Sequence, residues 1–193
     1  METIDSSEAT LQQPEYSKKT QNAWAFYDWA NSVYPLVITT AIFPIFYEGL
    51  TTERDPVTNA VLNDKVMFMG MEVINSALVS IVSSVYFLIL CILLPVLSGV
   101  ADYSGSKKKF LRFFCYLGSA GCAGLYFFDV NHLELSMLIF AIAGVGFWSS
   151  LVFYNAYLPE IAPVEKHDRL SARGFSMGYI GSVILLVGCL VFQ

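Results

Sequence analysis

Asp28 is the residue whose type and setting most demand chemistry. It is the lone charge in a run from about Ala23 to Tyr47. At about 100° per residue around a helix, Asn31, Ser32, Pro35, Thr39 and Trp24 fall within about 60° of it, whereas Thr40 falls outside. A carboxylate with amide and hydroxyl neighbours on one stripe could carry a coupling proton or cation, or hold a substrate amine. The alternative is structural: an acid in the first turns of a helix is favoured by the dipole and can pair with a basic loop residue. Asn155 is a second candidate, because seven residues place it on the same helical face as Trp148.

A second concentration of polar residues reads Ser98-Gly99-Val100-Ala101-Asp102-Tyr103-Ser104-Gly105-Ser106-Lys107-Lys108-Lys109. Gly105 permits a tight turn between two helices. Asp102 is expected near the start of the next helix, where an acid suits the dipole. Lys107, Lys108 and Lys109 would hold the loop at an anionic cytoplasmic surface. Other chemistry is poorly provided for. His132 and His167 lack a helix-spaced acid or histidine, so no metal site is expected. Cys91, Cys115, Cys122 and Cys189 lie in apolar runs without zinc or redox spacing. No nucleophile elbow or phosphate-cradling glycine loop occurs, which argues against an enzyme, a cofactor and ATP-driven transport. The net charge of −5 argues against nucleic-acid binding.

The elements that must position these residues are membrane spans. Hydrophobic residues make up 55% of the chain and charged ones 14%, against about 25% charged in globular proteins. Val73–Val100 has no charge and as a helix would reach about 40 Å, more than the hydrocarbon of a bilayer. Five spans are expected, at about 23–47, 73–100, 110–128, 135–157 and 171–193. The second could begin earlier, in the Met-rich stretch Val66–Met71. Residues 1–22 are expected to be a disordered cytoplasmic tail, with no signal peptide. Nine of the eleven lysines and arginines flank alternate gaps, which puts the N-terminus and the 101–109 and 158–170 loops in the cytoplasm. Gly174, Gly178 and Gly181 form a small-residue face on the fifth span, suited to close helix packing or to a rocking contact between helices. The fold class is thus all-α, a polytopic transmembrane bundle whose partner is the lipid bilayer.

The 98–109 loop resembles the signature loop between the second and third helices of the major facilitator superfamily, G-x-L-A-D-R-x-G-R-K. Ala101, Asp102, Gly105 and Lys107 match it. Ser98, Val100, Tyr103 and Ser106 replace its first glycine, its leucine and its two arginines, which weakens the loop's usual role in latching two halves. The variant Ala-Asp-Tyr-Ser-Gly resembles the vacuole-effluxer branch, which includes autophagy-related amino-acid effluxers and uncharacterised bacterial members. The segments Asn22–Ser32, Asn155–Ala162 and Ser171–Gly174 agree with that branch.

The resemblance implies a twelve-helix transporter of two six-helix halves, with the first five helices here. It implies secondary transport of small solutes, amino acids among them, by rocker-switch alternating access, with a coupling proton as a possible partner. In such a fold the first helix lines the central path, which suits the Asp28 stripe. Because the last run stops at Gln193 without flanking charge, the chain is expected to lack the C-terminal half of the transporter. The alternative is a truncated, non-transporting membrane fragment or an assembly module that needs a partner chain. A bacterial inner membrane is the expected location, with a vacuolar membrane as the alternative.

Overall fold

The structure, a computed structural model, describes residues 16–191. Among the described residues, five helical segments are long and apolar enough to cross a membrane: Lys18–Thr51, Asn75–Tyr103, Lys107–Phe127, Val130–Ile161 and Val164–Val191. Their outward faces carry bulky apolar side chains, such as Ile81, Leu88 and Ile92 on the second and Ile180, Val183 and Ile184 on the last. Lipid rather than water suits such faces. The chain is a multi-pass membrane protein with an all-α bundle.

The first segment is not uniform. Helix α1 (Lys18–Asn31) leads into a π-helical stretch, Tyr34–Ile42, and then α2 (Phe43–Thr51). Pro35 sits at the start of the wide stretch and has no N–H to give. Its carbonyl accepts the hydroxyls of both Thr39 and Thr40 at 2.7 Å. The helix begins at Lys18, so the tail expected over 1–22 is helical from that residue on; residues 1–15 of it lie outside the described residues.

Two short antiparallel hairpins follow. Strand β1 (Glu53–Arg54) pairs with β2 (Val61–Asn63), and β3 (Lys65–Phe68) with β4 (Met71–Ile74). The Val66–Met71 stretch is therefore a hairpin and not the beginning of the second span. Its turn residues Met69 and Gly70 both have positive φ, 51° and 79°, the conformation of a two-residue hairpin turn. Val66 is buried while its neighbours Lys65 and Met67 are exposed, the two-residue period of a strand.

Helix α3 (Asn75–Tyr103) begins after the hairpin. Asn75 fastens its start, donating to Thr51 Oγ1 at 3.0 Å and Thr52 Oγ1 at 2.8 Å at the end of α2. Helices α4 (Lys107–Gly124) and α5 (Leu133–Asn155) follow, then the short α6 (Leu158–Ile161) and α7 (His167–Val191). The closest helix pairs are α4 with α5 and α1 with α7. Glycines allow both. A Cβ on Gly121 would lie 2.7 Å from the Cα of Ala143, and one on Gly146 would run into the backbone of Gly118. In the other pair, a Cβ on Gly181 would lie 2.7 Å from the carbonyl oxygen of Trp29. Backbones at this distance exclude any side chain from between them.

Candidate functional site

Asp28 lies ten residues after Lys18, about 15 Å along the helix. That is well past the first turn, so the helix N-terminus does not account for it. It is 4% exposed. Ser32, one turn on, donates to Asp28 Oδ1 at 3.3 Å. Gly174 and Gly178 of α7 cover the other oxygen: a Cβ on Gly178 would lie 3.2 Å from Asp28 Oδ2, and one on Gly174 would lie 3.5 Å from it. Among the described residues, no ion pair involves Asp28.

Trp24 anchors the same stripe to α5. Its indole N–H donates to the Tyr154 carbonyl at 3.0 Å, and its ring stacks on Tyr154 at 4.3 Å. Tyr27 stacks on Tyr154 at 4.9 Å. Among the described residues the buried Tyr154 hydroxyl has no hydrogen-bond partner, and it flanks Gly174 beside Asp28, 3.2 Å from where a Cβ would stand. Sequence reasoning passed over Tyr154 in favour of its neighbour Asn155. The structure leaves Asn155 exposed at the end of α5, outside the two cavities near Asp28.

One of those cavities, of about 310 Å³, lies between α1, α5 and α7. Asp28, Asn31, Ser32 and Pro35 line it, as the stripe requires, together with Ser182. Ser182 is 1% exposed and its hydroxyl has no hydrogen-bond partner among the described residues. Thr40 lines the cavity in place of Thr39. The π-helical stretch explains the exchange: at roughly 82° per residue instead of 100°, Thr40 turns onto the Asp28 stripe and Thr39 turns off it. A second cavity of about 380 Å³ lies between α1, α4 and α5. Asn31 lines both, so it stands in the wall between them. Tyr27 and Tyr34 line the second cavity, and the Tyr34 hydroxyl is buried without a hydrogen-bond partner among the described residues.

At the end of α3 the structure corrects the placement of Asp102. It occupies the last turn of α3, not the first turn of α4. Gly105 has φ 61°, and the Ser106 N–H donates to the Ala101 carbonyl at 3.0 Å. This is a glycine-capped helix end. An acid there is opposed by the dipole, and Lys107 offsets it. The Lys107 ammonium lies 2.9 Å from Asp102 and 2.6 Å from Glu160 on α6. One lysine thus ties the α3–α4 turn to the segment after α5, while Lys108 and Lys109 are exposed. Nearby, Arg173 of α7 donates to Asn22 of α1 at 2.7 Å.

The family model described as "Vacuole effluxer Atg22 like" matches residues 16–193. The chain belongs to this family. An uncharacterized MFS-type transporter of Bacillus subtilis, YxiO, is 38% identical to this Atg22-like chain over 166 residues, covering 86% of the chain and 36% of that protein. Autophagy-related protein 22 of Coccidioides immitis is 21% identical, over 97% of the chain and 46% of that protein. The same protein of Chaetomium globosum is 27% identical, over 80% of the chain and 25% of that protein. The Atg22-like chain thus spans less than half the length of these relatives. No solved structure matches it. The glycine-capped turn and its Lys107 bridge are what the Ala-Asp-x-x-Gly-x-Lys spacing builds in this Atg22-like chain.

Proposed function

We propose that this Atg22-like chain is part of a secondary transporter for small solutes, amino acids among them, working by alternating access. One observation carries the reading. Asp28 is buried in a membrane-spanning helix, without a cationic partner among the described residues, on the wall of a 310 Å³ cavity. An isolated buried charge costs several kcal/mol. Such an acid is supported by a proton, a cation or a bound ammonium, and transport paths are where acids of this kind occur. The glycine contacts between α1 and α7 hold that pair together as one packing unit, so that it can move as a body against the rest of the bundle.

In this reading Asp28, Asn31, Ser32 and Thr40 line the solute path, and Trp24 positions the stripe. The N-terminus and the 101–109 and 158–170 loops face the cytoplasm, the membrane is a bacterial inner membrane, and further helices supply the opposite wall. The kinship to a bacterial MFS-type transporter supports the assignment. The test is flux of radiolabelled amino acids into proteoliposomes of the full-length protein, with and without an imposed pH gradient. Gradient-dependent uptake that Asp28→Asn uncouples is expected. Absence of such flux for every amino acid would remove the assignment.

A further inference from the structure

We infer that the cavity around Asp28 recognises its solute through an organic ammonium group. The word solute rests on the transport reading above; the chemistry rests on the cavity wall. Among the described residues that line the cavity, Asp28 is the one formally charged. Around it stand neutral polar groups, of which the Ser182 hydroxyl is fully buried and unpartnered. The rest of the wall is largely ring. Phe147 and Trp148 come from α5, and Phe175 and Tyr179 stand at the open α7 side, where both are exposed.

A carboxylate and aromatic rings on one cavity wall suit one kind of guest, a cation carried on an apolar body. The carboxylate supplies the opposite charge and a charge-assisted hydrogen bond. Ring faces attract ammonium groups electrostatically. Asn31, Ser32 and Ser182 can accept the remaining N–H bonds. A bare metal ion is less well served, because it wants a shell of oxygens and most of this wall is carbon. A solute carrying only a carboxylate would meet Asp28 and no cation on this wall. For a zwitterion, the ammonium is the end held here.

The test uses matched probes on the full-length protein in nanodiscs, with binding read by calorimetry and by Trp fluorescence. Phenethylamine, L-phenylalanine, 3-phenylpropionate and sodium chloride are the four probes. Phenethylamine and phenylalanine are expected to bind and 3-phenylpropionate is not. Asp28→Asn should weaken phenethylamine about tenfold to a hundredfold. Tyr179→Ala changes an exposed residue and should weaken it severalfold. Helical circular dichroism and a monodisperse elution profile show whether each variant is folded. If Asp28→Asn misfolds, Tyr179→Ala and the probe series on the unaltered protein decide the matter.

Three results overturn the inference: 3-phenylpropionate binding as well as phenethylamine, undiminished amine binding in folded Asp28→Asn, or a sodium response with none to the amine. The transport reading fails separately. Flux that survives any of these results leaves transport standing without ammonium recognition. Asp28-dependent amine binding without flux leaves the reverse.

Discussion

Gly178→Ala is the smallest change that bears on both the packing of α7 and the setting of Asp28. The added Cβ would overlap Ser32 Oγ, lie 2.9 Å from Ser32 Cβ and lie 3.2 Å from Asp28 Oδ2. Carbon atoms in good contact sit about 3.5–4.0 Å apart. The Ser32 hydroxyl can rotate away, which breaks its bond to Asp28. The Ser32 Cβ cannot rotate away, so α1 and α7 must separate by roughly 0.6–1 Å at this point. Overpacking of this kind costs about 1–3 kcal/mol, which corresponds to a Tm lower by roughly 2–12 °C for a chain of this size. Gly188→Ala on the same helix is the control, since no atom of the described residues lies within 4 Å of its added Cβ. Thermal unfolding in nanodiscs, followed by circular dichroism, should show the loss for Gly178→Ala and none for Gly188→Ala. Equal melting temperatures for the two variants would refute the close contact between α1 and α7.

Gly146→Ala should be more damaging, about 3 kcal/mol or more, because its Cβ meets the Gly118 backbone, which has no rotamer to yield; a melting temperature within a degree of the unaltered protein would refute it. Lys107→Ala removes both of its carboxylate contacts, yet those carboxylates are about half exposed. Its cost should stay within about 1 kcal/mol and shrink in high salt, and a larger, salt-insensitive loss counts against this account. Asp55 accepts the N–H groups of Thr58 and Val57, both at 2.8 Å, and these hold its carboxyl below the usual carboxylate range. The loop it closes should therefore be fully stabilised above the unfolded value of about 3.9 and loosen only as pH falls through the lowered one. An Asp55 midpoint at or above about 3.9 by NMR titration would contradict this.

The spans were legible because lipid imposes a crude demand: about twenty residues without charge. The exceptions are instructive. Val66–Met71 is apolar enough to pass for helix, but Lys65 and Met67 face one way and Val66 and Phe68 the other, around a Met69–Gly70 turn. Asp102 could have been placed correctly from Gly105 alone, since a glycine cap leaves the residues before it in the last turn of the preceding helix. The exchange of Thr39 for Thr40 was not legible. It follows from the wide stretch after Pro35, and a proline signals a disturbance without giving its pitch. Tyr154 was missed because an aromatic residue counts as apolar in a periodicity argument, although its hydroxyl stands beside Asp28.

The positions of the two cavities near Asp28 follow from where glycine ends and aromatic residues begin. Within α4–α5 and within α1–α7, glycines bring the backbones together and no space remains between them. Between these two pairs the contacts are made by rings: Trp24 and Tyr27 on Tyr154, and Tyr34 on Phe147 at 4.7 Å. Rings hold helices apart and cannot fill the gaps above and below themselves, so both cavities lie along this seam. Each cavity is bounded by helices of both pairs. A backbone-to-backbone contact has no rotamers with which to adapt, whereas ring side chains can change rotamer and stacking offset, at the cost here of the Trp24 hydrogen bond to the Tyr154 carbonyl. Any relative movement within this chain should therefore occur along the ring-lined seam, with α4–α5 and α1–α7 moving as units. Asp28 and Asn31 lie on that seam, where a small displacement changes their surroundings most.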